Sequence, residues 1–531
     1  MNLIKGAATV GGMTMISRVL GFVRDILIAS FLGTGPVADA WVVAFRFPNL
    51  FRRFFAEGAF NSAFVPLYSK RLEGEGPTAA KSFAEEAQAG LGSVLLVFTV
   101  VLVIFMPWAM LALAPGFLFG TDESFSLALA LDRIASGEVP DKYELTVFFT
   151  RITAPYLFFV SLVALLSGIL NSIGKFFLAA AAPVLLNVIL IAALLFLTPL
   201  LPSPGHALVI GVFLAGAAQL AALVWGCTRA GVMPRPQVPL WTPRVKRLVF
   251  LGVPGIIAAG ITQINIVIGT MIATLEAGAA SLLYYADRIY QLPLGIIGVA
   301  MGVVLLPDLS RRLRAGDEAG ALRSQNRALE MSMLLTIPAA VALAIIPLAI
   351  IIVLFEHGAF TRADSEGAAL AVAAFAVGLP AFVMIKIFQP GFFARENTKT
   401  PMFYAAAQTA VNIVLSIILF RAIGFVGIAI ATTAGAWVNT LMLAAHLRRE
   451  GYLQFDDRLR RRLPRIVLAS AGMGVALWYA QGVLLPYLDT SFWHGIIGLL
   501  VLVAGGMAIY GGLALLTGAA KIADIEAILK R

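Results

Sequence analysis

The chain has 531 residues, 60% of them hydrophobic and only 13% charged, with a formal charge of +10 and a mean hydropathy of +0.91. Soluble domains carry roughly 25% charged residues, so a soluble protein of this length could not cover its surface. Apolar stretches long enough to cross a ~30 Å hydrocarbon core recur from one end to the other, which predicts an all-α polytopic membrane protein.

In chain order, apolar runs between charged or Gly/Pro-rich breaks predict fourteen spans, at 7–32, 37–66, 84–113, 146–170, 178–200, 206–227, 248–275, 279–307, 328–355, 366–394, 401–420, 424–445, 464–485 and 494–518. Pro48 and Pro293 fall inside the second and eighth and should kink or unwind them. The loop 114–145 is acidic, and 312–327 reads as an amphipathic interfacial helix. The first run is interrupted by Arg18, Arg24 and Asp25, unlike a cleaved signal peptide.

Lys and Arg orient the spans. With both termini in the cytoplasm, 27 of the 39 basic residues fall in cytoplasmic segments and only Arg133, Lys142, Arg362 and Arg421 on the opposite side. The positive charge is thus a topology signal with anionic membrane lipid as its partner, and nucleic acid is excluded. Cys227 is the only cysteine, and the four histidines are scattered, so no metal or cofactor site is expected. No Walker A, GxSxG or DDxxD sequence occurs, which leaves catalysis without a candidate constellation. Asp456 and Asp457, in a basic loop, read as a solvated charge cluster.

A repeat divides the chain. PYLFFVSLVALLSGILNSIGKF from Pro155 aligns without a gap with PAFVMIKIFQPGFFARENTKTP from Pro380, and Asn187 meets Asn412 at the same offset. AFVPLYSKRL at 63–72 likewise resembles VLLPDLSRRL at 304–313. The expected organisation is two parallel six-span lobes, 1–230 and 231–448, followed by spans 13 and 14 with a cytoplasmic tail at 449–531. Such 6+6 architecture is typical of transporters with a substrate site between the halves.

Charges at the bilayer centre cost about 2.5–3.5 kcal/mol each on insertion scales and need a partner or a wet cavity. Span 1 carries Arg18, Arg24 and Asp25; span 2 carries Asp39, Arg46, Asn49, Arg52, Arg53 and Glu57; span 8 carries Asp287 and Arg288; span 10 carries Lys386. Arg18 and Asp25 are seven apart and should share a helix side, as should Asp39, Arg46 and Arg53. Arg46 and Arg151, near span ends, read as internal ion pairs or snorkelling residues. Basic residues exceed acids in the N-terminal half, and arginine offers a planar, permanently charged fork for phosphate or carboxylate. An arginine-lined anion site is the expectation, with Asp25, Asp39 and Glu57 orienting the arginines and Asn49 and Asp287 in support. Pro48, Pro293, Gly295, Gly298 and Gly302 are the candidate hinges.

SRVLGFVRD at 17–25, DAWVVAFRFPNLFRRFFAEGAFNSAFVPLYS at 39–69, LNSIGKF at 170–176, YADRIYQLPLGIIGVAMGVVLLPDLS at 285–310 and ARENTKTP at 394–401 closely resemble the MurJ (MviN) family of the multidrug/oligosaccharidyl-lipid/polysaccharide (MOP) exporter superfamily. The resemblance runs through all fourteen spans. It implies a non-enzymatic flippase in the bacterial cytoplasmic membrane that carries lipid II, the undecaprenyl-pyrophosphate-linked peptidoglycan precursor, between leaflets by alternating access. It also implies that Arg18, Arg24, Arg52 and Arg288 bind the pyrophosphate, with Asp25, Asp39, Arg53 and Lys386 in the same substrate site. Some relatives hold sodium with an acidic residue around spans 7, 11 and 12. Spans 11 and 12 here contain no Asp or Glu, so the coupling ion stays open. The rival readings are a flippase for another polyprenyl-linked glycan, a drug or cation antiporter whose cavity would be dominated by carboxylates, and a polyprenyl-phosphate glycosyltransferase, for which no loop is long enough.

Overall fold

The computed structural model describes residues 3–52, 59–119, 123 and 126–521, among which all regular structure is helical. The helices are α1 (Leu3–Leu32), α2 (Pro36–Arg52), α3 (Ala59–Gly74), α4 (Pro77–Ile104), α5 (Met106–Leu113), α6 (Leu127–Ser136), α7 (Asp141–Thr153), α8 (Pro155–Ser172), α9 (Phe177–Ala192), α10 (Pro204–Arg229) and α11 (Pro243–Ala273). There follow α12 (Ala279–Pro293), α13 (Val299–Arg314), α14 (Glu318–Ile345), α15 (Pro347–Phe355), α16 (Arg362–Phe393), α17 (Lys399–Ile423), α18 (Val426–Arg449), α19 (Asp457–Leu488) and α20 (Phe492–Leu516). Ten of the fourteen predicted spans coincide with described segments long and apolar enough to cross a bilayer, α7–α8 counting as one of them. The first, second, seventh and eighth runs fall outside that set. Residues 53–58 are not described between α2 and α3, and the helix changes form after Pro293.

Several predicted spans are composite, and proline is the usual cause. Pro107 and Pro347 open second segments after breaks at Phe105 and Ile346, and Pro155 opens α8 directly after Ala154. Their fixed φ and missing N–H suit a first helical turn. Pro293 is followed by a π-helical stretch, Leu294–Gly298, before α13 begins. At Pro48 the helix does not unwind: α2 runs through it to Arg52. Proline leaves the carbonyl four residues back without its helical donor, and the Thr153 hydroxyl of α7 donates to that carbonyl, Ala44 O, at 3.1 Å. The expected separate helix at 312–327 is absent from the structure. Its first residues end α13, Asp317 caps α14 by accepting from Gly320 N at 2.8 Å, and the rest open α14.

The described chain gathers into two compact units, Met1–Ser281 and Leu282–Arg531. In the first, Phe64, Phe83, Leu166 and Leu223 centre one core among α3, α4, α8 and α10, and Met106, Met110, Tyr143 and Phe117 centre another. In the second, the core lies among α13, α14, α16 and α18. Between bilayer-embedded helices lipid is as apolar as leucine, so close approach and interhelical hydrogen bonds decide pairing. Thr433, Trp437 and Thr440 on one face of α18 accordingly donate to the carbonyls of Ala374, Val377 and Ala381 on α16, at 2.8, 3.0 and 3.0 Å. Where α19 meets α20, Gly472, Gly498 and Gly506 admit Leu513, Leu488 and Leu477.

Candidate functional site

The charged residues of α1 divide into two environments. Arg24 and Asp25 are buried, at 7% and 2% exposure, whereas Arg18 is exposed. Arg24 donates to Asp25 Oδ1 from Nε and Nη2, at 3.0 and 2.7 Å, and to Asn187 Oδ1 from Nη1 at 2.8 Å. Its guanidinium also lies over the Phe45 ring, 5.9 Å from the centroid. Arg18 and Asp25 belong to one continuous helix, seven residues apart, yet their surroundings differ. Asp25 pairs with its own neighbour, and Arg18 makes no hydrogen bond or ion pair among the described residues. A buried ion pair is tolerable only when its remaining hydrogen-bonding capacity is met, and Asn187 meets part of it here.

Asp39 is fully buried and does not orient an arginine. It accepts from Lys142 Nζ at 2.6 Å, Gly278 N at 2.9 Å, Ser281 N at 3.1 Å and Ser281 Oγ at 2.7 Å. One carboxylate thus joins α2 to α7 and caps the start of α12, where unpaired N–H groups favour an anion. With four donors on two oxygens, Asp39 ties these elements together. Lys142, which the sequence marked only as a charge outside the membrane, supplies the counter-charge and also lies 4.0 Å from the Phe117 ring centroid.

On α2, Arg46 donates to Thr270 Oγ1 of α11 at 2.9 Å, Asn49 spends its amide on Phe45 O at 2.7 Å, and Arg52 closes the helix half-buried. Arg151 donates to Val103 O at 3.1 Å. Arg53 and Glu57 lie outside the described residues. In the second unit, Arg288 is half-buried with its guanidinium over Tyr284, 4.6 Å from the ring centroid, while Asp287 accepts from Gln291. Lys386 is exposed on α16, where its stem passes Gly298 and its carbonyl passes Gly302; a Cβ at either glycine would stand 3.6 Å from it. Those two glycines serve close approach between the α13 region and α16. Pro293 and Gly295 flank and enter the π-helical stretch, the irregularity on which a hinge would act.

Sequence reasoning missed the densest charge cluster. Glu330 on α14 is 3% exposed and is gripped by Arg327 at 3.1 Å, by Arg458 at 3.0 Å, and by Arg462, itself 5% exposed. Arg458 and Arg462 are four apart on α19, a spacing that puts both on one face. The loop before α19 is likewise not simply solvated, for Asp456 caps the helix by accepting from Leu459 N at 2.7 Å. Far from the α1 arginines in sequence, a cleft of about 550 Å³ is lined by Glu123, Asp132, Arg133 and Glu138. Carboxylates outnumber cations there, which is the wrong sign for a phosphate site. No group of three or more His, Cys, Asp or Glu residues able to hold a metal occurs among the described residues.

The family model described as "Lipid II flippase MurJ" matches residues 28–497. The chain is 44% identical to the probable lipid II flippase MurJ of Rhizobium tropici over all of this chain and 97% of that one. Its structure is similar to that of lipid II flippase MurJ in an inward closed conformation, with a TM-score of 0.75 and 25% identity over 95% of this chain and 97% of the other. A multidrug resistance MATE family transporter of the MOP superfamily, in an inward-facing conformation, matches with a TM-score of 0.65 over 84% of this chain and 98% of its own. At 13% identity that likeness speaks for the fold, which is that of the MOP exporters.

Proposed function

The chain belongs to the lipid II flippase MurJ family, and from that premise we propose that it moves lipid II from the cytoplasmic to the periplasmic leaflet by alternating access, without covalent chemistry. The observation that carries the reading is an exposed arginine, Arg18, on α1, backed by a buried Arg24–Asp25 pair on the same helix. A pyrophosphate is a dense, desolvation-sensitive anion, and arginine remains charged wherever it meets one. Arg18, Arg52, Arg288 and Lys386 are the residues assigned to supply that charge; Arg24 and Asp25 hold α1 in the conformation that presents Arg18. Residues 1–230 and 231–448 act as the two repeated lobes, 449–531 adds the last two spans, and the fourteen spans leave both termini in the cytoplasm.

The antiporter reading needs a buried carboxylate available to a coupling cation. Asp25 is bonded to Arg24 and Asp39 to Lys142, Gly278 and Ser281, which favours the flippase. The test is to deplete the protein in living cells and measure periplasm-facing lipid II against total lipid II. Exposed lipid II falls while the total holds or rises, and wild type restores it whereas Arg18→Ala and Arg288→Ala, inserted at normal levels, do not. Constant exposure in a strain without another flippase would assign the substrate to a different polyprenyl-linked glycan.

A further inference from the structure

Ser17, Gly21 and Arg24 lie four and three residues apart, which places them on one face of α1. That face meets α9, and the residue it meets is Asn187. The Asn187 amide donates from Nδ2 to the Ser17 carbonyl at 2.8 Å and lies 3.3 Å from Ser17 Oγ, while its Oδ1 accepts from Arg24 at 2.8 Å. Gly21 stands between these two contacts, and a Cβ there would come within 3.4 Å of Nδ2. One buried amide therefore spans two turns of α1, and the missing side chain at Gly21 lets it sit flat against the helix.

In water an apolar stripe sets how a helix is rotated about its axis. In a bilayer it does not, because lipid solvates every apolar face equally well. Apolar side chains on α1 point outward at Met15, Ile16, Val19 and Val23, so hydrophobicity leaves its rotation undetermined. A polar contact can determine it. We propose that Asn187 is a positioning residue: its clasp on Ser17 and Arg24 fixes the rotation of α1, and with it the direction in which the neighbouring Arg18 presents its guanidinium. The functional part of this inference rests on the reading of Arg18 as a pyrophosphate ligand. The clasp itself does not.

The test separates the two. In a Cys227→Ala background, which removes the buried native thiol, single cysteines are placed as Ser17→Cys and Arg18→Cys and labelled in membranes with a small maleimide. The cysteine at 18 reacts roughly tenfold or more faster than the one at 17, and Asn187→Leu, which removes a hydrogen bond to a charged group, erases most of that ratio. With Arg18 intact, Asn187→Leu loses most periplasm-facing lipid II. Asn187→Asp, which keeps an acceptor for Arg24 but loses the donor to Ser17, falls between wild type and Asn187→Leu. If Asn187→Leu fails to accumulate, the Asn187→Asp labelling ratio carries the test. An unchanged ratio in an accumulating variant overturns the clasp. A changed ratio with normal lipid II exposure keeps the clasp and overturns Arg18 as the ligand.

Discussion

Glu330 offers a test in which burial, rather than the number of ion pairs, sets the magnitude. Three arginines surround its carboxylate, yet only Arg462 is buried with it; the side chains of Arg327 and Arg458 are 41% and 45% exposed. Exposed pairs contribute about 0–1 kcal/mol each. Removing one member of a buried pair costs about 3–5 kcal/mol, since the other charge is left desolvated without compensation. Glu330→Gln keeps the shape and should therefore cost about 3–5 kcal/mol, Arg462→Met a similar amount, and Arg327→Ala or Arg458→Ala about 1 kcal/mol or less. Combining Glu330→Leu with Arg462→Met replaces the buried pair by apolar groups, so the double variant should be more stable than the sum of its single changes predicts. Denaturant unfolding in mixed micelles, followed by a reporter on the α14–α19 pair, measures all of these. A Glu330→Gln midpoint close to that of wild type, or additive single changes, would show that the cluster is wet and the argument wrong.

Three further outcomes follow from individual contacts. Asp39→Ala strands Lys142 and two backbone N–H groups, costs about 3–5 kcal/mol, and is partly relieved by Lys142→Met; strict additivity in that double-mutant cycle refutes the coupling. Thr153→Val orphans the Ala44 carbonyl beneath Pro48 and costs about 1 kcal/mol, whereas Thr153→Ser is near neutral in the same unfolding assay. Hydrogen bonds from Ser324 and then Arg312 hold the Asp308 carboxyl below its ordinary value of 3.8. The stability it contributes is present above 3.8 and is lost as the pH falls through the lower folded value. Pepsin cleavage at the α13–α14 turn should rise over that acid window in wild type, and Ser324→Ala should move the rise to higher pH.

What the sequence made legible was set by what is local. Apolar run lengths located ten of the spans, and Pro293 foretold the irregular stretch that follows it, whereas the breaks at Phe105, Ala154 and Ile346 fall inside runs read as unbroken. Pro48 did not break α2, because its effect depends on a hydroxyl 109 residues away from the carbonyl it strands. The charged residues show the same limit. Spacing assigns a side chain to a helix face but says nothing of its partner, and the partners of Asp39 lie 103 and 242 residues along the chain. Nothing local marks Glu330 and Arg462 as partners, because 132 positions separate them.

The internal repeat carried more information than its use in counting spans suggests. Two asparagines recur in register inside apolar helices, where an unsatisfied amide is costly, and both are buried. Asn412 accepts from Ser416 of its own helix and from Thr432 of α18, each at 3.3 Å, while Asn187 bridges α9 to α1. Each therefore tethers its helix to another through side-chain hydrogen bonding, with different partners. A polar residue retained at one repeat position within apolar sequence marks a place where helix orientation is fixed by hydrogen bonding. At Asn187 that orientation bears directly on a charge: the same amide that holds the Ser17 carbonyl also holds Arg24, so α1 cannot turn without disturbing the buried ion pair next to the exposed arginine.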